Sequence, residues 1–244
     1  MKPKIGSFFI VLVAIFCSSI TSTQSQQPDT SFTAISVNNA IEVYHRKLNI
    51  ASGLYNGGEY INYLFNFEDG SPYFGVNDSV PGSILYDGVL YRNIFMKYDE
   101  VKDAIVIWND NEVIQLFNER VGYFNLLDHS FALIIKDNGS KDLVKTGFYE
   151  QLYSGKIAIF KKVVKAILDK PDMTDGILRS IQQKTYYYLR TARGYTQINS
   201  KADLTKALYD RKKEIGEFIV SNGLSFKKDP AGFLAKVAAY YDTL

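Results

Sequence analysis

The chain has 244 residues, with 28 Lys and Arg against 26 Asp and Glu, a formal net charge of +2. So close a balance lacks the basic surface that phosphate binding demands, so nucleic acid is not an expected partner, nor is a polybasic membrane patch expected. The single cysteine rules out a disulfide framework, and a chain of this length buries about 70% of its unfolded surface, so its stability rests on a hydrophobic core.

Residues 1–25 read as a secretory signal peptide. Lys2 and Lys4 precede an apolar run from Ile5 to Phe16, too short for a membrane span of roughly 20 residues. Small residues at Thr21-Ser22-Thr23 and Thr23-Gln24-Ser25 predict cleavage after Thr23 or Ser25. The alternative, an uncleaved anchor, is disfavoured by the polar stretch after Cys17. Lipidation at Cys17 is the one route to a membrane, but bulky Phe16 stands where a lipoprotein signal carries a small residue. Processing removes two lysines and no acid, which leaves bases and acids equal in number. The expected location is periplasmic, cell-envelope or extracellular.

Residues 26–36 are a polar lead-in, and Asn39–Ile50 carries Ile41, Tyr44 and Leu48 at the spacing of a short helix, while Val43 and Tyr44 also suit a strand. The β-rich domain is placed at 37–198. Ser83–Tyr86 and Val89–Arg92 flank Asp87-Gly88, a pair suited to a type I′ hairpin turn. Ala104–Trp108 and Glu112–Phe117 flank Asn109-Asp110-Asn111. Phe131–Ile135 has buried-strand length and precedes the turn pair Asn138-Gly139. Gly147–Tyr153 and Lys156–Lys165 flank Ser154-Gly155, and Ile177–Gln183, Thr185–Arg190 and Tyr195–Ile198 follow as strands. With no helical crossovers between them, these segments predict an α+β protein. Its body is a mostly antiparallel β-meander or open barrel of about nine or ten strands. The form Leu-Tyr-x-Gly at Leu54, Leu85 and Leu152 reads as one hairpin solution used three times.

Residues 199–244 predict a C-terminal helical hairpin packed on the sheet. The first helix is capped by Asn199 or Ser200, carries Leu204, Leu208, Ile215, Phe218 and Ile219 as its apolar stripe, and ends at Asn222-Gly223. The second starts with Asp229 as N-cap and Pro230 at its first position, with Phe233, Leu234, Val237, Ala238 and Tyr241 on one face.

The runs Gly82–Tyr91 and Gly147–Lys156, with Lys227-Lys228-Asp229-Pro230 and Tyr240-Tyr241-Asp242, carry a resemblance. Over roughly residues 50–244 the chain resembles a group of exported, uncharacterised β-rich proteins of Bacteroidota-type Gram-negative bacteria. That resemblance implies an envelope or periplasmic location and a β-meander with a C-terminal helical hairpin. It implies no activity and no functional residues.

Chemistry-bearing motifs are sparse. His45 and His129 stand alone and read as surface or capping histidines, so no metal is assigned, and no cofactor motif is present. No Gly-x-Ser-x-Gly elbow supports a Ser-His-Asp set. Asp99, Glu100 and Asp103 are the candidate catalytic acids of a hydrolase using carboxylates in residues 87–103; in a strand connection they read first as solvated surface acids. Tyr186, Tyr187 and Tyr188 are the candidate ligand-binding rings, two on one sheet face and one on the other, and Tyr60, Tyr63 and Phe65 approximate the same alternation. Asp78-Ser79-Val80 and Asp242-Thr243-Leu244 resemble the O-glycosylation acceptor of Bacteroidota envelope proteins. The leading expectation is a non-enzymatic exported module that binds a protein, peptide or glycan. The hydrolase and a small outer-membrane β-barrel are the alternatives.

Overall fold

The computed structural model describes residues 53–109, 112–136, 144–172 and 176–244. The signal segment, the lead-in, the expected helix Asn39–Ile50 with His45, and the turn residues Asp110, Asn111, Asn138 and Gly139 lie outside the described residues. The strands are β1 (Gly58–Glu59), β2 (Val80–Tyr86), β3 (Val89–Asp99), β4 (Ala104–Asn109), β5 (Glu112–Gln115) and β6 (Val121–Leu126). They continue with β7 (His129–Ile134), β8 (Gly147–Ser154), β9 (Ala158–Asp172), β10 (Gly176–Thr191) and β11 (Gly194–Gln197). They form one 11-stranded sheet in the order β1-β5-β4-β3-β2-β6-β7-β8-β9-β10-β11. The strand ladders are antiparallel, as hairpin spacing without crossover helices requires.

One connection departs from the meander. From β5 the chain returns past β4, β3 and β2 to pair β6 with β2. Leu116 still bonds to Ile105 of β4, while Val121 already pairs with Tyr86. Five residues reach at most ~18 Å, and four strand spacings in a flat sheet need ~19 Å. A 3-10 turn at Asn118–Arg120 shortens the link further, so the sheet has to curl around its core. A bulge helps it bend: Asn93, at φ 56°, is the extra residue between Ile94 opposite Gly82 and Arg92 opposite Ser83.

The largest apolar cluster lies within this curl and includes Ile84, Tyr86, Met96, Tyr98, Ile105, Phe124 and Phe148. The helices α1 (Lys201–Ala207), α2 (Lys212–Ser221) and α3 (Pro230–Tyr241) form a second cluster, with Ile157, Ile159 and Leu189 from the sheet. A third joins Tyr149, Phe160 and Tyr188.

The caps are as the sequence predicts. Ser200 accepts from the Asp203 amide at 3.2 Å, Asp229 from the Gly232 amide at 2.9 Å, and Gly223 takes φ 58° beyond α2. The expected single helix 201–222 is instead two. Leu208 leaves helical geometry at φ −104°, ψ 47°, and Tyr209–Arg211 form a 3-10 turn. Stripe spacing cannot tell one helix from two that share a buried face, and Leu204, Leu208, Ile215 and Ile219 are all buried.

Other segments also depart from expectation. Ile177–Gln183 and Thr185–Arg190 are one strand, because Lys184 is a solvent-facing position and not a break. Leu54-Tyr55 sits in a 3-10 turn and ends no hairpin. β6 carries no turn signature ahead of β7; the two are joined by Leu127-Asp128, at φ 49° and 62°. Asp87-Gly88 does form the positive-φ hairpin turn, at 50° and 76°.

Candidate functional site

Asp99, Glu100 and Asp103 share the β3–β4 turn, and the expectation that they are solvated is wrong for the first two. Asp99 is 0% and Glu100 6% exposed. A carboxylate survives such burial only with compensating partners, and each acid finds a different set.

Asp99 accepts on Oδ2 from the Tyr60 and Tyr63 hydroxyls at 2.8 and 2.9 Å. Its Oδ1 accepts from the backbone amides of Val101 and Lys102 at 2.9 and 3.0 Å. Glu100 pairs with Lys165 Nζ at 2.8 Å, and that ammonium also donates to the carbonyls of Ser71 and Tyr73 at 2.9 and 2.7 Å. Asp103, at φ 53°, accepts from Tyr98 Oη at 2.5 Å, Lys162 Nζ at 2.7 Å and the Phe148 amide at 3.3 Å. Gly147 is required beside it, because a Cβ there would stand 2.1 Å from Asp103 Oδ2.

The turn is therefore a junction. Asp99 anchors the segment 60–73, Glu100 seizes β9, and Asp103 ties β3 to β8 and β9. Burial, with the hydrogen bonds to Asp99 adding to it, holds the Tyr60 and Tyr63 phenols far above their ordinary range. Burial beside Asp103 does the same to Tyr98. Burial pulls the Lys162 ammonium below its ordinary value, and Asp103 opposes that pull.

A second acid, Glu150, is 6% exposed and lies between His129 Nδ1 at 2.6 Å and Lys161 Nζ at 2.7 Å. His129 is thus a partner for a buried acid, with its ring edge-on to Phe74 at 5.1 Å. Among the described residues no group of three or more His, Cys, Asp or Glu could hold a metal ion.

Tyr186, Tyr187 and Tyr188 do divide between two faces, but as packing residues. Tyr188 is buried against Tyr149 at 5.6 Å, Tyr186 packs on the same cluster, and Tyr187 meets Phe226 at 6.2 Å on the helical side. The more exposed aromatic row lies elsewhere. Tyr63, Phe65 and Phe67 are half-buried and alternate with exposed Asn62, Leu64 and Asn66, although the segment is no strand. Tyr63 meets Phe67 edge-on at 5.3 Å and Tyr73 at 6.5 Å. Cations lie over these rings: Lys102 over Tyr60 and Tyr63 at 4.2 and 4.7 Å, Arg179 over Phe65 at 4.2 Å, and Lys97 over Tyr73 at 4.7 Å. Glu68 and Asp69 bond to the outer edge of β10 at Arg179 and Ile181, which completes the attachment.

Sequence reasoning missed Lys162, Lys165, Glu150 and Arg179. The one sequence signal for the lysines is the placing of Lys161, Lys162 and Lys165 in the otherwise apolar run Ala158–Leu168, where buried bases call for acids. Asp242, read as part of a glycosylation motif, accepts from Tyr153 Oη at 2.9 Å and the Lys156 amide at 2.8 Å. Comparison with family models, curated proteins and solved structures gave no match.

Proposed function

We propose that the protein is an exported, non-enzymatic interaction module that takes a protein or peptide partner on the segment 60–67. The carrying observation is that Ile61 and Leu64, at 70% and 93% exposure, project from a backbone pinned by the Tyr60–Asp99–Tyr63 anchor. Large aliphatic groups held in water on a fixed backbone are poised to bind, because little ordering entropy remains to be lost. A peptide or protein ranks ahead of a glycan, because Lys97, Lys102 and Arg179 lie on ring faces a sugar would stack against. The export half of the reading rests on the N-terminal sequence alone.

The hydrolase alternative finds its acids engaged. Asp99, Glu100 and Asp103 are committed to the contacts above, and Asp87 is paired with Arg120. Against the outer-membrane barrel stands an open sheet with β1 and β11 at its edges, since lipid-exposed sheets close to satisfy their backbones.

The test is binding from an envelope or secreted fraction of the producing cells. Leu64→Asp and Ile61→Asp should each weaken retention of the partner at least tenfold, with an unchanged thermal melt, while Val164→Asp, at an exposed position outside the segment, should not. Equal retention by all variants would remove the segment as the binding site. Intact mass tests export: a mature chain starting near Gln24 or Gln26 supports it, and an acylated chain starting at Cys17 would move the partner search to the membrane.

A further inference from the structure

The outer face of α2 carries a glycine that the chain's own fold does not need. Gly216 lies inside the helix, where glycine is a poorer former than alanine. A Cβ added there would meet nothing within 4 Å, and its φ is not in the positive range. Neither internal packing nor backbone conformation calls for glycine at this position.

Around it α2 presents Val220, which is 74% exposed, with exposed Lys213 and Glu217, and Tyr209, 64% exposed, stands in the 3-10 turn just ahead of the helix. By helical spacing, positions 213, 216, 217 and 220 share a face, and with Tyr209 they line one shallow groove. Arg193 covers one side of the Tyr209 ring at 5.1 Å.

This face is complementary to itself. Across a twofold axis, residue i of one copy meets j of the other and j meets i. The midpoint between Lys213 and Glu217 and that between Tyr209 and Val220 both fall within about two residues of Gly216, so one axis serves both pairs.

We propose that a second copy of this chain packs on this face, α2 against α2 and antiparallel. Gly216 stands at the crossing, where the absent side chains let the backbones approach. Tyr209 packs on the partner's Val220, and Lys213 faces the partner's Glu217. One helix of this length buries less than the ~1,200 Å² of a stable interface, so the dimer is weak and reversible.

Sedimentation velocity on the full-length chain over a concentration series tests this. The wild type should shift from monomer to dimer as concentration rises. Lys213→Glu sets like charges opposite each other and should weaken the dimer at least tenfold; adding Glu217→Lys to the same chain should restore it. Gly216→Ala should raise the melting temperature of the dilute monomer and at the same time weaken the dimer, a split that a merely structural glycine would not produce. A wild type that stays monomeric throughout overturns the proposal. So does a dimer of unaltered strength in Lys213→Glu and Gly216→Ala, or a Gly216→Ala melt that falls.

Discussion

Among the described residues Asp99 bonds to no cation and is held by neutral donors: two phenols and two amides. Asp99→Ala would take this acceptor from all four, leaving Tyr60 only the Tyr73 hydroxyl at 3.3 Å, and should cost about 3 kcal/mol in urea unfolding, whereas Tyr63→Phe, which removes one bond, should cost about 1 kcal/mol. Lys165→Met poses a different problem, because it strands a buried Glu100 carboxylate. A loss of about 3–5 kcal/mol is expected, much of it recovered when Glu100→Leu is added, since an apolar pair avoids the desolvation cost of an ion pair. If the double variant were no more stable than Lys165→Met alone, the ion pair would not be the source of the loss. The acids were legible as a cluster in the sequence. Their burial was not, because their partners lie far along the chain: Tyr60 is 39 residues from Asp99, and Lys162 is 59 from Asp103.

Turns decide which elements can be read. Asp87-Gly88 announces its hairpin because both residues accept positive φ, whereas Leu127-Asp128 adopts the same backbone with a leucine at φ 49° and announces nothing. A leucine there is strained, so Leu127→Asn with Asp128→Gly should stabilise the β6–β7 hairpin by about 1 kcal/mol, read as a higher melting temperature. No gain would mean that Leu127, whose Cδ1 reaches toward Gly75, compensates through packing. The helices teach a complementary lesson. Caps at Ser200 and Asp229 are local chemistry and were legible, while the break at Leu208 keeps that side chain buried in the helix–sheet cluster and left the stripe intact.

At the scale of the whole molecule, buried phenols set the alkaline limit. Burial pushes Tyr149 up to about 12 and also raises Tyr60, Tyr63 and Tyr98 well above their ordinary value. Below about pH 10 these groups are protonated in both folded and unfolded chains, and their contribution to stability is fully present. Above that, the unfolded chain releases its protons first, so stability falls as pH rises through 10 to 12 and beyond. Lys162 acts with the opposite sign, since the unfolded chain holds that proton longer, but it is one group against several phenols. In an alkaline titration, tyrosinate absorbance of the buried rings should appear together with loss of the circular dichroism signal. Complete ionisation with the signal intact would contradict their burial.

What the amino-acid sequence determined by itself was local. Hairpin turns, helix caps and strand alternation depend on neighbours a few residues apart, and they were enough to predict an antiparallel sheet followed by C-terminal helices. Only the tertiary structure decided that β6 returns to pair with β2, that Asp99 and Glu100 are buried and the three β3–β4 acids partnered by Tyr60, Tyr63, Lys162 and Lys165, and that Ile61 and Leu64 are left in water. These features depend on groups brought together across the sheet, and burial with its charge compensation belongs to the packed assembly and not to any short stretch of chain.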